Sequence, residues 1–251
     1  MSEVVWRRSM VPNRETPPRE LTWEYYGESL KVAQTKALDF NEREAELPDR
    51  RAFRQMSRAA MMLSVLGMEA KSHLIPVLER DPFKVGIYFA VENGPVDFES
   101  SYKMRDIKAE NFASEYKKNR GPTMYLKQLP NLAAAHLGIF LGVFGPMSVY
   151  TDSEYGAIHA LEQAELDLEA GRIELALVGG SFSFENPLTL ARNEKLGPPG
   201  KILAEGAGLM LLKKSAQRTD WANESYGFMP EYFGIADQII ELNERGTGYA
   251  N

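Results

Sequence analysis

The residue of this chain best placed for chemistry is a serine at a turn. In MSVYTDSEYG, residues 147 to 156, a short apolar and β-branched run passes sharply into a helical pattern, and Ser153 stands where the two meet. A small polar residue at such a strand-to-helix turn can present a nucleophilic hydroxyl, with the helix N-terminus stabilising negative charge. The same residues allow a plainer role, in which Thr151 and Glu154 form a capping box and Ser153 only starts the helix. Serine attacks at neutral pH only with a base beside it. The three histidines are scattered. His73 and His136 fall inside apolar helical patterns, as packed or rim residues, and His159 lies about two turns beyond Ser153, facing away from its hydroxyl by helical spacing.

Composition narrows the chemistry further. Cysteine is absent from all 251 residues, which excludes disulfides, thiolate metal sites and any mechanism in which this chain supplies a sulfur nucleophile. The net charge of -6 and the scattered histidines argue against a general nucleic-acid binder and against a histidine-built metal centre. No run approaches the ~18 apolar residues of a membrane span, and the opening MSEVVWRRSM lacks the apolar core of a secretory signal. The expectation is a cytoplasmic protein without membrane attachment.

The elements that must position Ser153 follow from the apolar pattern. Residues 1 to 50 are polar and interrupted by Pro12, Pro17, Pro18 and Pro48, which predicts one short strand near Val4 to Trp6, then loop and helix of uncertain length. From Arg50 to Glu79 apolar residues recur at spacings of three and four, predicting an amphipathic helix broken near Gly67 and ended by Pro76 or Pro82. VGIYFAV, residues 85 to 91, suits a buried parallel strand. A polar stretch follows to Pro122, within which residues 103 to 127 carry seven Lys/Arg against three Asp/Glu. Asn131 to Phe140 reads as a helix, residues 147 to 151 as a second buried strand, and Tyr155 to Ala170 as a helix with Gly171 placed to cap it. IELALVGG, residues 173 to 180, and ILAEGAGLMLLKK, residues 202 to 214, complete a set of four strands. Strand, helix and strand with short connections predict an α/β fold with a mostly parallel sheet. Residues 1–213 read as one domain, and residues 214–251 as an acidic tail that would order only against something else.

The pattern G-P-x-S-V-x-T-x-x-x-x-G-A-I-x-A-L at residues 145 to 161, followed by G-x-x-x-x-A-L-V-G-G at residues 171 to 180, resembles the nucleophile strand, nucleophile helix and next strand of β-ketoacyl synthases, which have the thiolase fold. NLAAA from Asn131 and AEGAGLMLL from Ala204 resemble two further segments of that family, in the same order. The likeness covers about residues 50 to 213 and implies the N-terminal half of a ketosynthase fold, with a mostly parallel mixed sheet. At the position of the family's cysteine this chain has Ser153, and the half that carries the family's two catalytic histidines lies beyond it. The resemblance therefore implies that the condensing chemistry is absent here and that no residue of this chain is catalytic.

The family pairs edge to edge through the strand before the nucleophile helix, which here is Met147, Ser148, Val149, Tyr150 and Thr151. A half-fold alone would leave one apolar face in water, so a partner is expected. The resemblance thus points to a truncated chain-length factor, the ketosynthase β subunit of type II polyketide synthases, in a heterodimer with a full-length ketosynthase. That partner's cysteine would elongate a phosphopantetheine thioester presented by an acyl carrier protein, in polyketide or polyene biosynthesis, while this chain binds no cofactor or metal of its own. Tunnel-wall candidates by position are Tyr102, Met104, Phe112, Met124 and Tyr125, with Phe140, Tyr150 and Phe184 behind them; for each, taken singly, ordinary core packing is the plainer reading. The basic stretch from Lys103 to Lys127 suits an acidic carrier protein or a solvated face. Two other readings are a thiolase-family acyltransferase that uses Ser153 as acyl acceptor, with Asp152 or Glu154 nearby, and a scaffold that never touches substrate.

Overall fold

The structure is a computed structural model that describes residues 2–12, 15, 17–25, 28–42, 45–121, 123–152, 155–196, 202–215 and 232–233. Among these the chain forms β1 (Ser2–Met10), β2 (Arg19–Tyr25), β3 (Glu28–Lys36), α1 (Arg58–Glu69), α2 (Lys71–Leu78), β4 (Val85–Val91), α3 (Phe98–Met104), α4 (Phe112–Asn119) and α5 (Met124–Gln128). It continues with α6 (Asn131–Leu141), β5 (Met147–Tyr150), α7 (Gly156–Glu169), β6 (Leu175–Phe182), α8 (Pro187–Leu196), β7 (Ile202–Ala204), β8 (Gly206–Lys214) and β9 (Tyr232–Phe233). Single 3₁₀ turns precede α1, β4 and α4.

A five-stranded sheet in the order β1-β8-β6-β4-β5 forms the centre. Its pairing is parallel across β6-β4-β5 and antiparallel across β1-β8-β6, so the sheet is mixed. Every residue of β4 and β6 is buried, as two-sided burial requires of near-continuous apolar runs. The two faces divide by strand alternation. Ile87, Phe89, Leu175, Leu177, Leu209 and Leu211 pack with α1 and α6, whereas Tyr88, Ala90, Ala176, Val178, Met210 and Leu212 pack with α7. A second sheet, β2-β3-β7-β9, begins as an antiparallel hairpin and continues with parallel neighbours.

Several expectations are corrected. The strand near Val4 to Trp6 runs the full length of β1, and β2 and β3 form a hairpin where loop and helix were expected. RELTWEY and ESLKVAQTK carry charges through the period-2 pattern, so the partner strand's backbone decides their state more than their own hydrophobicity. The helix from Arg50 to Glu79 is divided at Ala70, not at Gly67, and Pro76 is accommodated inside α2. Gly67 is instead a packing site: a Cβ there would run into the side chain of Leu137 on α6, so glycine lets the two helices approach closely. The polar stretch up to Pro122 contains α3 and α4, and α5 follows it. Residues 202 to 214 are two strands in different sheets, broken at Glu205. Strand β5 is parallel to β4 and lies at the sheet edge, as expected, but it is only half-buried. Gly171, at φ 69°, follows α7 in the left-handed conformation expected of it. Of the expected tail, Lys214, Ser215, Tyr232 and Phe233 are described, the last two as β9; its remainder lies outside the described residues.

Candidate functional site

Parallel pairing brings the carboxyl ends of β4, β5 and β6 to one edge of the sheet, where open α/β folds place their ligands. Glu92, Asn93 and Gly94 leave β4 there, Thr151 and Asp152 leave β5, and Ser183 to Asn186 leave β6. Ser153 and Glu154 lie outside the described residues. Helix α7 begins at Gly156 with Tyr155 as N-cap and no side-chain cap; the capping box expected of Thr151 and Glu154 falls partly outside the described residues. His159 is in the first turn of α7, not two turns along, with its ring 5.8 Å from that of Tyr150 and 6.3 Å from that of Tyr155. The early placement follows from the helix starting three residues after Ser153.

The edge is held by a half-buried arginine, Arg58. The Arg58 guanidinium donates to Glu205 Oε1 at 3.1 Å, to the carbonyls of Phe40 at 2.8 Å and Leu38 at 2.9 Å, and to Glu42 Oε1 at 3.3 Å, while it lies over the Phe40 ring. Glu205 also accepts from the amides of Phe184 at 3.1 Å and Leu38 at 3.2 Å. The side chains of Arg58 and Glu205 are 16% and 5% exposed, so this pair is worth its desolvation only because nearly every donor and acceptor is used. Arg58 and Glu205 together thus tie the start of α1 to the junction of β7 and β8 and to the segments leaving β3 and β6. Beside it, Glu185 accepts from the Arg58 amide and from the Ser183 hydroxyl. Burial pushes the Glu185 carboxyl up, against the lowering effect of the Arg58 amide and of nearby Lys127. Glu185, Ser183, Ser57 and Asn93 line a small polar recess into which the fully buried Ser181 also faces. Among the described residues Ser181 Oγ has no hydrogen-bond partner, as Ser64 Oγ and His136 Nε2 have none. The recess is of water size and suits a bound water more than a substrate.

On the other face, the Tyr88 hydroxyl donates to Asp167 at 2.6 Å, and Asp167 also accepts from Arg172 at 2.8 Å and Gln163 at 3.1 Å. Burial, then the Asp167 carboxylate, push the Tyr88 hydroxyl far up, so it stays a donor that fastens β4 to α7. Tyr88→Phe leaves Asp167 short of a partner and is expected to cost about 1–3 kcal/mol in urea unfolding; a change below about 0.5 kcal/mol would show the bond to be idle.

The other histidines are where their surroundings placed them. His73 is exposed against Trp6, and His136 is buried beside Phe140. Burial lowers the His136 pKa, with Asp49 opposing. The unfolded imidazole, near 6.5, therefore takes its proton first as pH falls. Stability is expected to decline below pH about 6.5 until the pH passes below the folded pKa, and urea midpoints of His136→Leu should lack that part of the decline.

The tunnel candidates do not form one buried group. Tyr102, Phe112 and Tyr125 are exposed, which excludes ordinary core packing for them; Met124 is half-buried, and Met104 is buried under α4 beside Asn119. Phe140, Tyr150 and Phe184 are half-buried. The exposed apolar residues that do gather lie along the β5 edge. Phe83 and Phe144 pack ring to ring at 5.9 Å, Met147 lies against Gly138, and Ile139 beside it is 76% exposed. The exposed side of α7 is mixed: Tyr155, His159, Glu162, Leu166 and Glu169.

The sequence left Arg58 and Glu185 unmarked. Glu205 lay within the A-E-G-A-G match, yet its partner is 147 residues away, and no local pattern connects them. A lone arginine at the start of an apolar helix was the available signal.

An α/β half-fold with a mixed sheet, a central α7 and a polar clamp at the strand ends defines a thiolase-like unit. Residues 11–218 match the β-ketoacyl synthase N-terminal domain, and the chain belongs to that family. It is similar to nodulation protein E of Rhizobium leguminosarum bv. trifolii, at 33% identity over 100 residues, which cover 35% of this chain and 25% of the relative. Among solved structures it is similar to a ketosynthase in complex with its chain length factor from Xenorhabdus doucetiae, with a TM-score of 0.61 at 12% identity over 86% of this chain and 58% of that one. It is also similar to a type II polyketide synthase acyl-carrier protein in complex with its ketosynthase, with a TM-score of 0.58 at 22% identity over 72% of this chain and 53% of that one. The chain thus spans a quarter of the curated relative and little more than half of these solved chains. Among the described residues, no helix is long and apolar enough to cross a membrane.

Proposed function

We propose that the chain is a non-catalytic ketosynthase-like subunit of the chain-length-factor kind, which pairs with a complete β-ketoacyl-ACP synthase and shapes the acyl tunnel in type II polyketide or polyene biosynthesis. The observation that carries this is the β5 edge: among the described residues a parallel strand with one open side, Met147–Tyr150, flanked by exposed Phe83, Ile139 and Phe144. An edge that is both unpaired and apolar invites another chain. The family supports the pairing partner, and the solved relatives, one with a chain length factor and one with a carrier protein, support the kinds of partner. A serine in place of the family's cysteine supports the non-catalytic part. In this reading residues 1–213 are the half-domain and residues 214–251 its tail, and the phosphopantetheine thioester comes from the carrier protein to the partner's cysteine. Tyr102, Met104, Met124 and Tyr125 wall the tunnel, since bulky side chains that cannot move without overpacking stop a growing chain.

The experiment is molar mass by light scattering, for this chain alone and mixed with a full-length ketosynthase of the same organism. A one-to-one complex is expected; two species that ignore each other would end the reading. In the complex, Met124→Ala or Tyr125→Ala is expected to lengthen the product by at least one extension unit, read by mass spectrometry, while Ser153→Ala should leave the product and its rate unchanged. Unaltered product lengths in both alanine variants would leave a scaffold role. Acyl label on Ser153, lost in Ser153→Ala together with activity, would favour the acyltransferase.

A further inference from the structure

The polar recess at the carboxyl ends of β4 and β6 holds acceptors that the fold does not use. Along β6, Leu175, Leu177, Gly179 and Ser181 share the face that packs on α1, and a Cβ on Gly179 would stand 3.1 Å from Leu63 of that helix. Two residues further along the strand, Ser181 therefore faces the first turn of α1, where Ser57 and Ala59 line the recess with it. Ser181 is 0% exposed, and its hydroxyl has no hydrogen-bond partner among the described residues. A buried hydroxyl is costly to leave unpaired, so a group that pairs with it is called for.

Glu185 is spent on one oxygen only. The Arg58 amide and the Ser183 hydroxyl both donate to Oε2, the latter at 3.2 Å, and Oε1 accepts no hydrogen bond among the described residues. The positive end of α1 is thus met by Glu185 Oε2 and by Ser57 Oγ, which accepts from the Ala60 amide at 3.2 Å. Asn186 is used in holding the strand ends, its side chain donating to the Asn93 carbonyl at 3.1 Å and accepting from the Leu188 amide at 3.0 Å.

The charge of the recess is one-sided. Glu92 lines it from the end of β4, and among the described residues no Lys, Arg or His lines it. The Arg58 guanidinium is turned to Glu205 and Glu42 instead. Burial pushes the Glu185 carboxyl up although the Arg58 amide and Lys127 oppose it, so its charge is left short of a partner. Two acidic residues and three serines therefore surround room for about one water molecule. A water would pair with Ser181 but would leave the charge as it is. A divalent ion asks for more carboxylates, and among the described residues no three His, Cys, Asp or Glu gather as its ligands. A monovalent cation of water size answers both needs, since hydroxyl and carbonyl oxygens can replace its hydration shell beside one carboxylate.

We infer that this recess is a site for a monovalent alkali cation of potassium size, held by Glu185 and by the hydroxyls of Ser181 and Ser183. The site needs no partner subunit, so it stands apart from the reading given under Proposed function, and it departs from the expectation that the chain holds no metal of its own. The cation ties β6 to the start of α1, at the same end of the sheet that Arg58 and Glu205 hold.

The test is thermal unfolding of the full chain in choline chloride and in potassium chloride at equal ionic strength, for the wild type, Ser181→Ala and Glu185→Gln. The wild type is expected to melt about 3 °C or more higher in about 100 mM potassium, with a saturable dependence, as for a ligand that binds the folded state alone. Both variants should lose that gain. In choline, Ser181→Ala should melt no lower than the wild type because it removes an unpaired buried hydroxyl, and Glu185→Gln should do the same because it keeps an acceptor for the Arg58 amide and removes a buried charge. Should Glu185→Gln fail to fold, Ser181→Ala decides alone. Crystals soaked in thallous acetate should show anomalous density between Ser181 and Glu185 in the wild type and none in Ser181→Ala. Equal melting of the wild type in the two salts would overturn the site and leave the recess to a water. A potassium gain that persists in both variants would also overturn it, by placing the ion elsewhere, as would a larger gain from calcium that both variants lose, in favour of a divalent site.

Discussion

Glu205→Ala is expected to cost about 2–4 kcal/mol of folding stability, more than any other single change considered, because it takes the main counter-charge from the half-buried Arg58 guanidinium and so falls at or a little below the cost of breaking a fully buried pair. Arg58 is held by Glu205, by two backbone carbonyls and by Glu42, and of the two carboxylates only that of Glu205 is buried. The alanine also strands the amides of Phe184 and Leu38, which end on the same carboxylate. A domain of this size has about 5–15 kcal/mol in all, so the variant should unfold at low urea or fail to accumulate. The informative companion is Arg58→Met with Glu205→Leu. Removing both charges while keeping volume should recover most of the loss, since apolar replacement of a whole buried pair is often neutral. A Glu205→Ala loss below about 1 kcal/mol would mean that Glu42 and water replace the missing carboxylate.

The second large effect is on assembly. The Ile87 amide donates to the Pro146 carbonyl at 2.9 Å, and ladder alternation then turns the backbone of Ser148 and Tyr150 toward β4 and that of Met147 and Val149 toward the open edge. A partner strand added there would bring its own surface over Ile139, Phe144 and Phe83. Ile139→Asp with Phe144→Asp places two charges in that contact. Loss of the complex by at least a hundredfold is expected, as for central contacts of an interface. The monomer's melting temperature should stay within a degree or two, because both side chains already face water. Light scattering at micromolar concentration reads the first quantity and calorimetry the second. A complex that survives both substitutions would place the contact elsewhere.

How far the sequence disclosed this molecule depended on where the deciding interactions lie. β4 and β6 were legible because two-sided burial demands unbroken apolar runs, and α6 and α7 because a repeated small-apolar stripe fits only helix. The β2–β3 hairpin was not, since its strands carry charged residues throughout. The break at Glu205 was hidden for a related reason: the apolar run continues across it, and the kink comes from a carboxylate turned toward Arg58, far away in sequence. β5 was legible as a strand, and the resemblance marked it as an edge, but its full burial was wrongly expected, because apolar character does not say whether burial comes from this chain or from another. At the site, Ser153 was chosen from local pattern alone, whereas the clamp that fixes the surrounding edge is made of residues which meet only in three dimensions.

β1 pairs with β8, so that Ser2 stands opposite Lys214. β1 is thus completed by a strand made more than two hundred residues later, at a synthesis rate of about 5–20 residues per second. For roughly ten seconds or longer β1 has no neighbour in its sheet, and the parallel β6-β4-β5 unit must form without it. Closing so long a loop slows folding more than it weakens the folded state. A nascent chain of this protein therefore passes through a stage with two open sheet edges, β5 and the side of β6 awaiting β8, and a subunit that paired with β5 would protect only the first of them.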